Sequence, residues 1–239
     1  MAALPHVFEE ISWAKHSFFV FSDFEHFVTA DAFTSLVADA GTSIAVNDAV
    51  GGRLSLTTGA TDNNEADVRT TAEVYLVADN KPIYFECLAQ YTEANTDDAN
   101  VMHGLMSALA ANSLVDDGAG VRTTGNYFVF FKVDGETTWR VRSRNGTETE
   151  TNDTAVTAGG ATYQRFGIEI DNEGDGSSNV AVKFFIDGQQ CRDATTLRPI
   201  VHTILIASST EMNAGSYVKA GSANSEVLVI DYLGAIQKR

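Results

Sequence analysis

Residues 179–190 read NVAVKFFIDGQQ, with Val180, Val182, Phe184 and Ile186 in one phase and Ala181, Lys183 and Phe185 in the other. A two-residue period sends alternate side chains to opposite faces, so this is a half-buried strand, and Asp187-Gly188 supplies the tight turn after it. The signature recurs along most of the chain. Strands are predicted at 43–47, 53–57, 73–77, 83–92, 127–133, 138–143, 163–170, 180–186, 200–207 and 227–236, with turns at Gly51-Gly52, Asp79-Asn80-Lys81-Pro82 and Gly135. Residues 83–91 are apolar in both phases for much of their length, the mark of a central strand rather than an edge.

Other stretches read differently. Residues 29–38, with Asp31 as a cap, are predicted as a short helix. In 97–114, Val101, Leu105, Ala108 and Leu109 fall at helical spacing while Gly104 weakens a helix, so a short helix and a strand around 102–105 both stay open. Residues 145–160 are polar and read as an exposed hairpin or long loop, and 211–225 as a small, polar surface loop. No fixed-period repeat and no Pro/Gly/Ser-rich linker divides the chain. The expected fold is all-β, an antiparallel β-sandwich over 39–239, preceded by an N-terminal arm, 1–38. Phe8, Trp13, Phe18, Phe19 and Phe21 are costly to leave in water, so the arm packs on its own domain or on a neighbouring subunit, and these five are the candidate interface.

At 239 residues and 44% apolar content the chain can bury a full core. Its net charge of −16, from 32 acids against 16 bases, repels nucleic acid and anionic membranes. The opening MAALPHVFEE lacks a basic segment followed by an apolar run, and no uncharged apolar stretch approaches membrane-spanning length, so neither an export signal nor a membrane span is expected. Cys87 and Cys191 have no second thiol at metal-ligand spacing. Buried free thiols are expected, with one long-range disulfide as the alternative.

Candidate chemistry is sparse. Glu169 and Asp171 share a face by parity, but Asp171-Asn172-Glu173-Gly174-Asp175-Gly176 is a strand end running into a turn. Asp171, Glu173 and Asp175 are oxygen ligands suited to calcium, although the spacing does not match a helical calcium loop and acidic turns also bind their own backbone. The loops at 62–65 and 116–118 are comparable. No histidine pair has zinc spacing, and Gly-x-Ser-x-Gly and phosphate loops are absent. Trp139 and Arg142 lie on one strand and are candidates for a sugar platform, an interface anchor or ordinary cross-strand packing. The expectation is a protein that is not an enzyme and holds no cofactor, with calcium the one ion its loops suit.

Residues 83–87 (IYFEC), 127–131 (YFVFF), 163–168 (YQRFGI), 182–188 (VKFFIDG) and 229–233 (VIDYL), in that order, resemble the concanavalin A-like lectin/glucanase jelly roll over roughly 40–239. Gly51-Gly52, the 98–114 stretch and the lack of an export signal are similar to virion-associated proteins of tailed bacteriophages. That resemblance implies an oligomeric decoration (cement) protein on the virion, made in the host cytoplasm, that binds the major capsid protein at the capsid surface. It carries over no catalytic residue: the glucanase Glu-x-Asp-x-x-Glu strand is missing, and Glu86-Cys87-Leu88 departs at the second acid. Two other readings stand beside it. One is a non-catalytic carbohydrate-binding module that takes a surface glycan; the other is a glycan-cleaving enzyme, which requires two carboxylates facing each other in a groove.

Overall fold

The computed structural model describes residues 17–37, 39–47, 50–171, 179–205 and 210–238. In chain order the strands are β1 (Ser17–Ser22), β2 (Phe33–Val37), β3 (Ser43–Val46), β4 (Leu54–Thr57), β5 (Glu65–Thr70), β6 (Ile83–Thr92), β7 (Asn100–Met106), β8 (Leu114–Val115) and β9 (Gly120–Val121). There follow β10 (Tyr127–Lys132), β11 (Thr138–Asn145), β12 (Glu148–Thr157), β13 (Gln164–Asp171), β14 (Asn179–Ile186), β15 (Gln189–Gln190), β16 (Val201–Leu205), β17 (Asn213–Lys219) and β18 (Val227–Lys238). No α-helix occurs among the described residues.

Two antiparallel sheets form the sandwich. A nine-stranded sheet runs β15-β14-β13-β6-β18-β4-β3; β16 also pairs with β14, and β1 also pairs with β18. A seven-stranded sheet runs β12-β11-β10-β7-β17-β5-β2, and β8-β9 is a small separate hairpin. The predicted central strand, β6, lies between β13 and β18, buried at every second residue. The core is the interleaving of the two inner faces, with Phe85, Phe166 and Phe184 from one sheet meeting Phe128, Phe130 and Trp139 from the other. Trp139 stands edge-on to Phe166 at 4.8 Å and to Tyr91 at 5.9 Å. Such pairs add about 0.5–1.5 kcal/mol each to the burial of their area.

Several expectations are corrected. The helix predicted over 29–38 is instead β2, paired along β5, because ladder partners outweigh a weak helical preference. Residues 73–77 are not a strand; Tyr75 alone bridges to Met212, and the strand in that region is β5. The 97–114 stretch resolves to β7, all of it buried. Residues 145–160 are the exposed-hairpin alternative, β11 turning into β12.

The largest difference is at 211–225. The expected surface loop contains β17, hydrogen-bonded between β7 and β5 and buried at all its positions. Its small residues are what the site demands: a Cβ on Gly215 would sit 2.5 Å from both Val68 O and Leu109 Cδ2. Residues 17–37, expected within an arm, supply β1 to one sheet and β2 to the other.

Candidate functional site

The two sheets present very different outer faces. On the seven-stranded sheet, residues 107–126 between β7 and β10 lie across the face as a strap. Leu109, Leu114 and Val121 of the strap form one buried cluster with Met102, Met106, Tyr127, Val129, Phe131 and Tyr217 of the sheet. Polar contacts stitch its margins. Arg142 donates to Val121 O at 3.0 Å and Arg144 to Gly125 O at 2.9 Å, while Lys219 reaches Asn112 Oδ1, Leu114 O and Asp116. Glu65 accepts from the Asn112 amide at 2.9 Å and from the Tyr217 hydroxyl. This face is filled by the protein itself.

Among the described residues nothing covers the outer face of the nine-stranded sheet. Register places Phe21, Gly234, Glu86, Gly167 and Phe185 in one row across β1, β18, β6, β13 and β14. One flanking row carries Ile236, Tyr84, Glu169 and Lys183; the other carries Tyr232, Leu88 and Arg165. A bulge at Ile230/Tyr232 turns both Asp231 and Tyr232 outward between the buried Ile230 and Leu233. Tyr84, Phe185, Tyr232 and Phe21 are all half-buried, so each ring keeps part of its surface in solvent.

Polar groups sit among these rings. The Tyr232 hydroxyl donates to Glu86 Oε1 at 2.5 Å. Burial pushes the Glu86 carboxyl above its ordinary range, opposed by that hydrogen bond and by the charge of Arg165. Glu169 is paired with Lys183 at 2.7 Å, and Asp231 lies 3.9 Å from Arg53, whose guanidinium stands over Tyr163. Arg165 makes no ion pair of 4 Å or less among the described residues; its guanidinium leans over Gly188 in the β14–β15 turn. Gly167 has no side chain between its row neighbours Glu86 and Phe185, so the row has a shallow hollow there; a Cβ would make ordinary contacts with Phe185 Cβ at 3.5 Å, Phe185 O at 3.9 Å and Phe85 O at 4.0 Å.

The residues singled out from sequence are placed as follows. Trp139 and Arg142 do not form one site: they stand on opposite faces of β11, Trp139 in the core with its indole N–H donating to Gln164 at 2.8 Å, and Arg142 over Tyr127 beneath the strap. The odd spacing of the two positions requires this. Phe18 points inward and stacks on Tyr75 at 5.0 Å, whereas Phe19 is 56% exposed and Phe21 packs on Tyr232 at 5.8 Å. Phe8 and Trp13 lie outside the described residues, as do Glu173 and Asp175; Asp171 ends β13. Among the described residues no three His, Cys, Asp or Glu side chains converge to hold a metal ion.

Both cysteines are buried and unpaired. Cys87 lies 3.5 Å from Ser216 Oγ, which is 3.0 Å from His103 Nδ1. Burial holds His103 down to about 3 and pushes Cys87 up to about 12, so neither group is poised for proton transfer or attack near neutrality. This trio is core packing. Glu86, Arg165 and Gly167, in contrast, went unremarked as a group, because strand register alone unites them.

By sequence, no family model and no curated protein matches the chain. By structure, an endo-1,3-β-glucanase from Streptomyces sioyaensis superposes with a TM-score of 0.60 at 12% identity, covering 100% of this chain and 99% of that one. The carbohydrate-recognition domain of Emp47p gives 0.57 at 11%, covering 95% and 99%. The fold is the concanavalin A-like jelly roll. A third jelly roll, the Emp46p carbohydrate-recognition domain in its potassium-bound form, gives 0.53 at 12%, covering 85% and 88%. That domain also exists metal-free, so metal binding is a property found within this fold, and the ion named there is potassium rather than calcium.

These comparisons correct the viral part of the resemblance. The jelly rolls named above are carbohydrate-recognition or glycan-active proteins, and none of them is a capsid protein. The expected major capsid protein partner, the oligomeric seating on a phage head and the virion location are withdrawn with it.

Proposed function

We propose that this protein is a non-catalytic carbohydrate-binding module that docks glycan on the outer face of its nine-stranded sheet. The observation that carries the reading is the contrast between the two outer faces. One is roofed by the 107–126 strap and its apolar cluster. The other is open, with Tyr84, Phe185 and Tyr232 beside Glu86 and Arg165. Rings that keep solvent-facing area next to fixed donors and acceptors are the chemistry that holds a sugar, whose C–H faces are apolar and whose rim is hydroxyl.

The non-catalytic part rests on how the acids are engaged. Glycoside hydrolysis uses one carboxylic acid and one carboxylate on either side of the scissile bond. On this face Glu169 is bound to Lys183, Asp231 is near Arg53, and Glu86 accepts from the Tyr232 hydroxyl; Asp171 shares the face two residues from Glu169, on the same strand rather than across a groove from it. The shared jelly-roll fold supports the reading as analogy only.

Isothermal titration calorimetry against a panel of soluble glycans, paired with a reducing-end assay, tests this. Binding without release of reducing ends is expected, weakened roughly tenfold by Tyr84→Ala or Phe185→Ala, as for a truncated anchor worth about 1–2 kcal/mol. A folded protein that binds no glycan, or that cleaves one, overturns it.

A further inference from the structure

We propose that the hollow over Gly167 holds an uncharged sugar residue by two neighbouring hydroxyls, one donating to Glu86 and the other accepting from Arg165. This rests on the carbohydrate-binding reading above and narrows it to neutral glycans.

Glu86 and Arg165 differ in what they can offer. An ionised carboxylate only accepts hydrogen bonds and a guanidinium only donates them, whereas a hydroxyl does both. Glu86 sits directly across from Gly167, and Arg165 lies two residues along the same face of β13. Diagonal neighbours of this kind are separated by about 7–8 Å at the backbone. The two charges have not closed on each other: Arg165 leans away over Gly188, and Glu86 Oε1 is occupied by Tyr232, leaving Oε2 as the available acceptor. The floor between them is glycine, which contributes no side chain, and Phe185 flanks it on the β14 side. A pyranose fits this arrangement, its hydroxyl edge toward the charged pair and a C–H face toward the ring.

The charges also select against ionised sugars. A carboxylated residue reaching for Arg165 meets Glu86 beside it, and the other nearby cation, Lys183, is already paired with Glu169 at 2.7 Å. The net charge of −16 repels a polyanion before contact. A neutral polyol satisfies both groups at once.

The test is calorimetric titration of the full chain at pH 7 with laminarin, a neutral mannan and polygalacturonate. At least one neutral polymer should bind and polygalacturonate should not. Gly167→Leu, whose side chain would fill the place the glycine leaves empty in the row, should abolish binding while its melting transition shows that it is still folded. Glu86→Gln and Arg165→Gln should each weaken binding at least tenfold. Binding of polygalacturonate in preference to the neutral polymers overturns the ligand class and leaves the carbohydrate-binding function standing. Neutral-glycan binding that survives Gly167→Leu overturns the site. Failure of all three polymers, and of the wider glycan panel, overturns both. Should Glu86→Gln lose its fold, the Gly167→Leu and Arg165→Gln arms still decide the matter.

Discussion

Tyr232 on β18 donates its hydroxyl proton to Glu86 Oε1 on β6 at 2.5 Å; Glu86 faces outward by the alternation of β6, and Tyr232 does so because a bulge shifts β18 by one residue between Ile230 and Tyr232. Without that shift, strict alternation after the buried Ile230 would turn Tyr232 inward and Leu233 outward. The contact holds the glutamate in place through one oxygen and leaves the second without a hydrogen bond from the described residues. It also pulls the carboxyl pKa down against the stronger effect of burial, which raises it.

Tyr232→Phe therefore raises the Glu86 pKa further above its ordinary value. NMR titration of the Glu86 carboxyl carbon would read this directly, and an unchanged or lowered pKa would contradict it. A hydrogen bond to a charged acceptor is worth about 1.5–3 kcal/mol, so the variant should also lose stability on that order in urea unfolding at pH 7.

His103 and His202 are both held neutral by burial, lowered from 6.5 to about 3 and about 4. Below pH 6.5 the unfolded chain binds protons that the folded chain refuses. Their contribution is complete above pH 6.5 and declines as the pH falls toward 4 and 3, by about 1.4 kcal/mol per pH unit for each group in that window. Glu226 works in the opposite sense: burial raises it from 4.5 to about 7, so its contribution is present below pH 4.5 and is lost as the pH rises through 7. Thermal melts from pH 4 to 9 should show wild type losing stability below pH 6.5, and Glu226→Gln more stable than wild type at pH 8 with the gap closing by pH 4.5. Equal midpoints for the two proteins at pH 8 would refute the Glu226 assignment.

Lys219 is fully buried under the strap, 3.9 Å from Glu65 and bonded to Asp116, Asn112 and Leu114. Lys219→Met leaves the buried Glu65 without its cation. Breaking a buried pair in this way costs about 3–5 kcal/mol. Denaturant unfolding should show a loss of that size, and hydrogen exchange should rise first in residues 107–126. A loss below about 1 kcal/mol would mean that the strap does not depend on the pair.

Two glycines on exposed and buried strands should respond oppositely to alanine. At Gly215 the new methyl would lie 2.5 Å from the Val68 carbonyl oxygen, a backbone atom that cannot step aside, whereas at Gly167 its nearest neighbour is Phe185 Cβ at 3.5 Å, an ordinary contact. Gly215→Ala should lose about 1–3 kcal/mol or more, the cost of overpacking. Gly167→Ala should change stability by well under 1 kcal/mol. Similar midpoints for the two variants would show that β17 is less tightly enclosed than described.

The sequence by itself determined the class of object. Alternation in 179–190 and the long apolar run in 83–91 announce an antiparallel sandwich, and β14 and β6 appear where those patterns lie, because each strand must present one face to the core; β6 is central in its sheet, with its second face only half-buried. The turn at Asp187-Gly188 was equally legible, and both residues adopt positive φ there, 51° and 78°.

Tertiary structure decided the rest. β17 was hidden because its composition, NAGSYVK, reads as solvent-facing until the strap and the opposite sheet supply partners for its polar groups and demand its small ones. Trp139, for which the sequence left a sugar platform, an interface anchor and ordinary packing open, lies in the core, since exposure depends on which of two faces a neighbour covers. The candidate site was the least legible feature of all. Glu86, Gly167 and Arg165 come from two strands some eighty residues apart in sequence, and only the register of β13 on β6, set when the two inner faces pack, lays them side by side on the one outer face the protein leaves open.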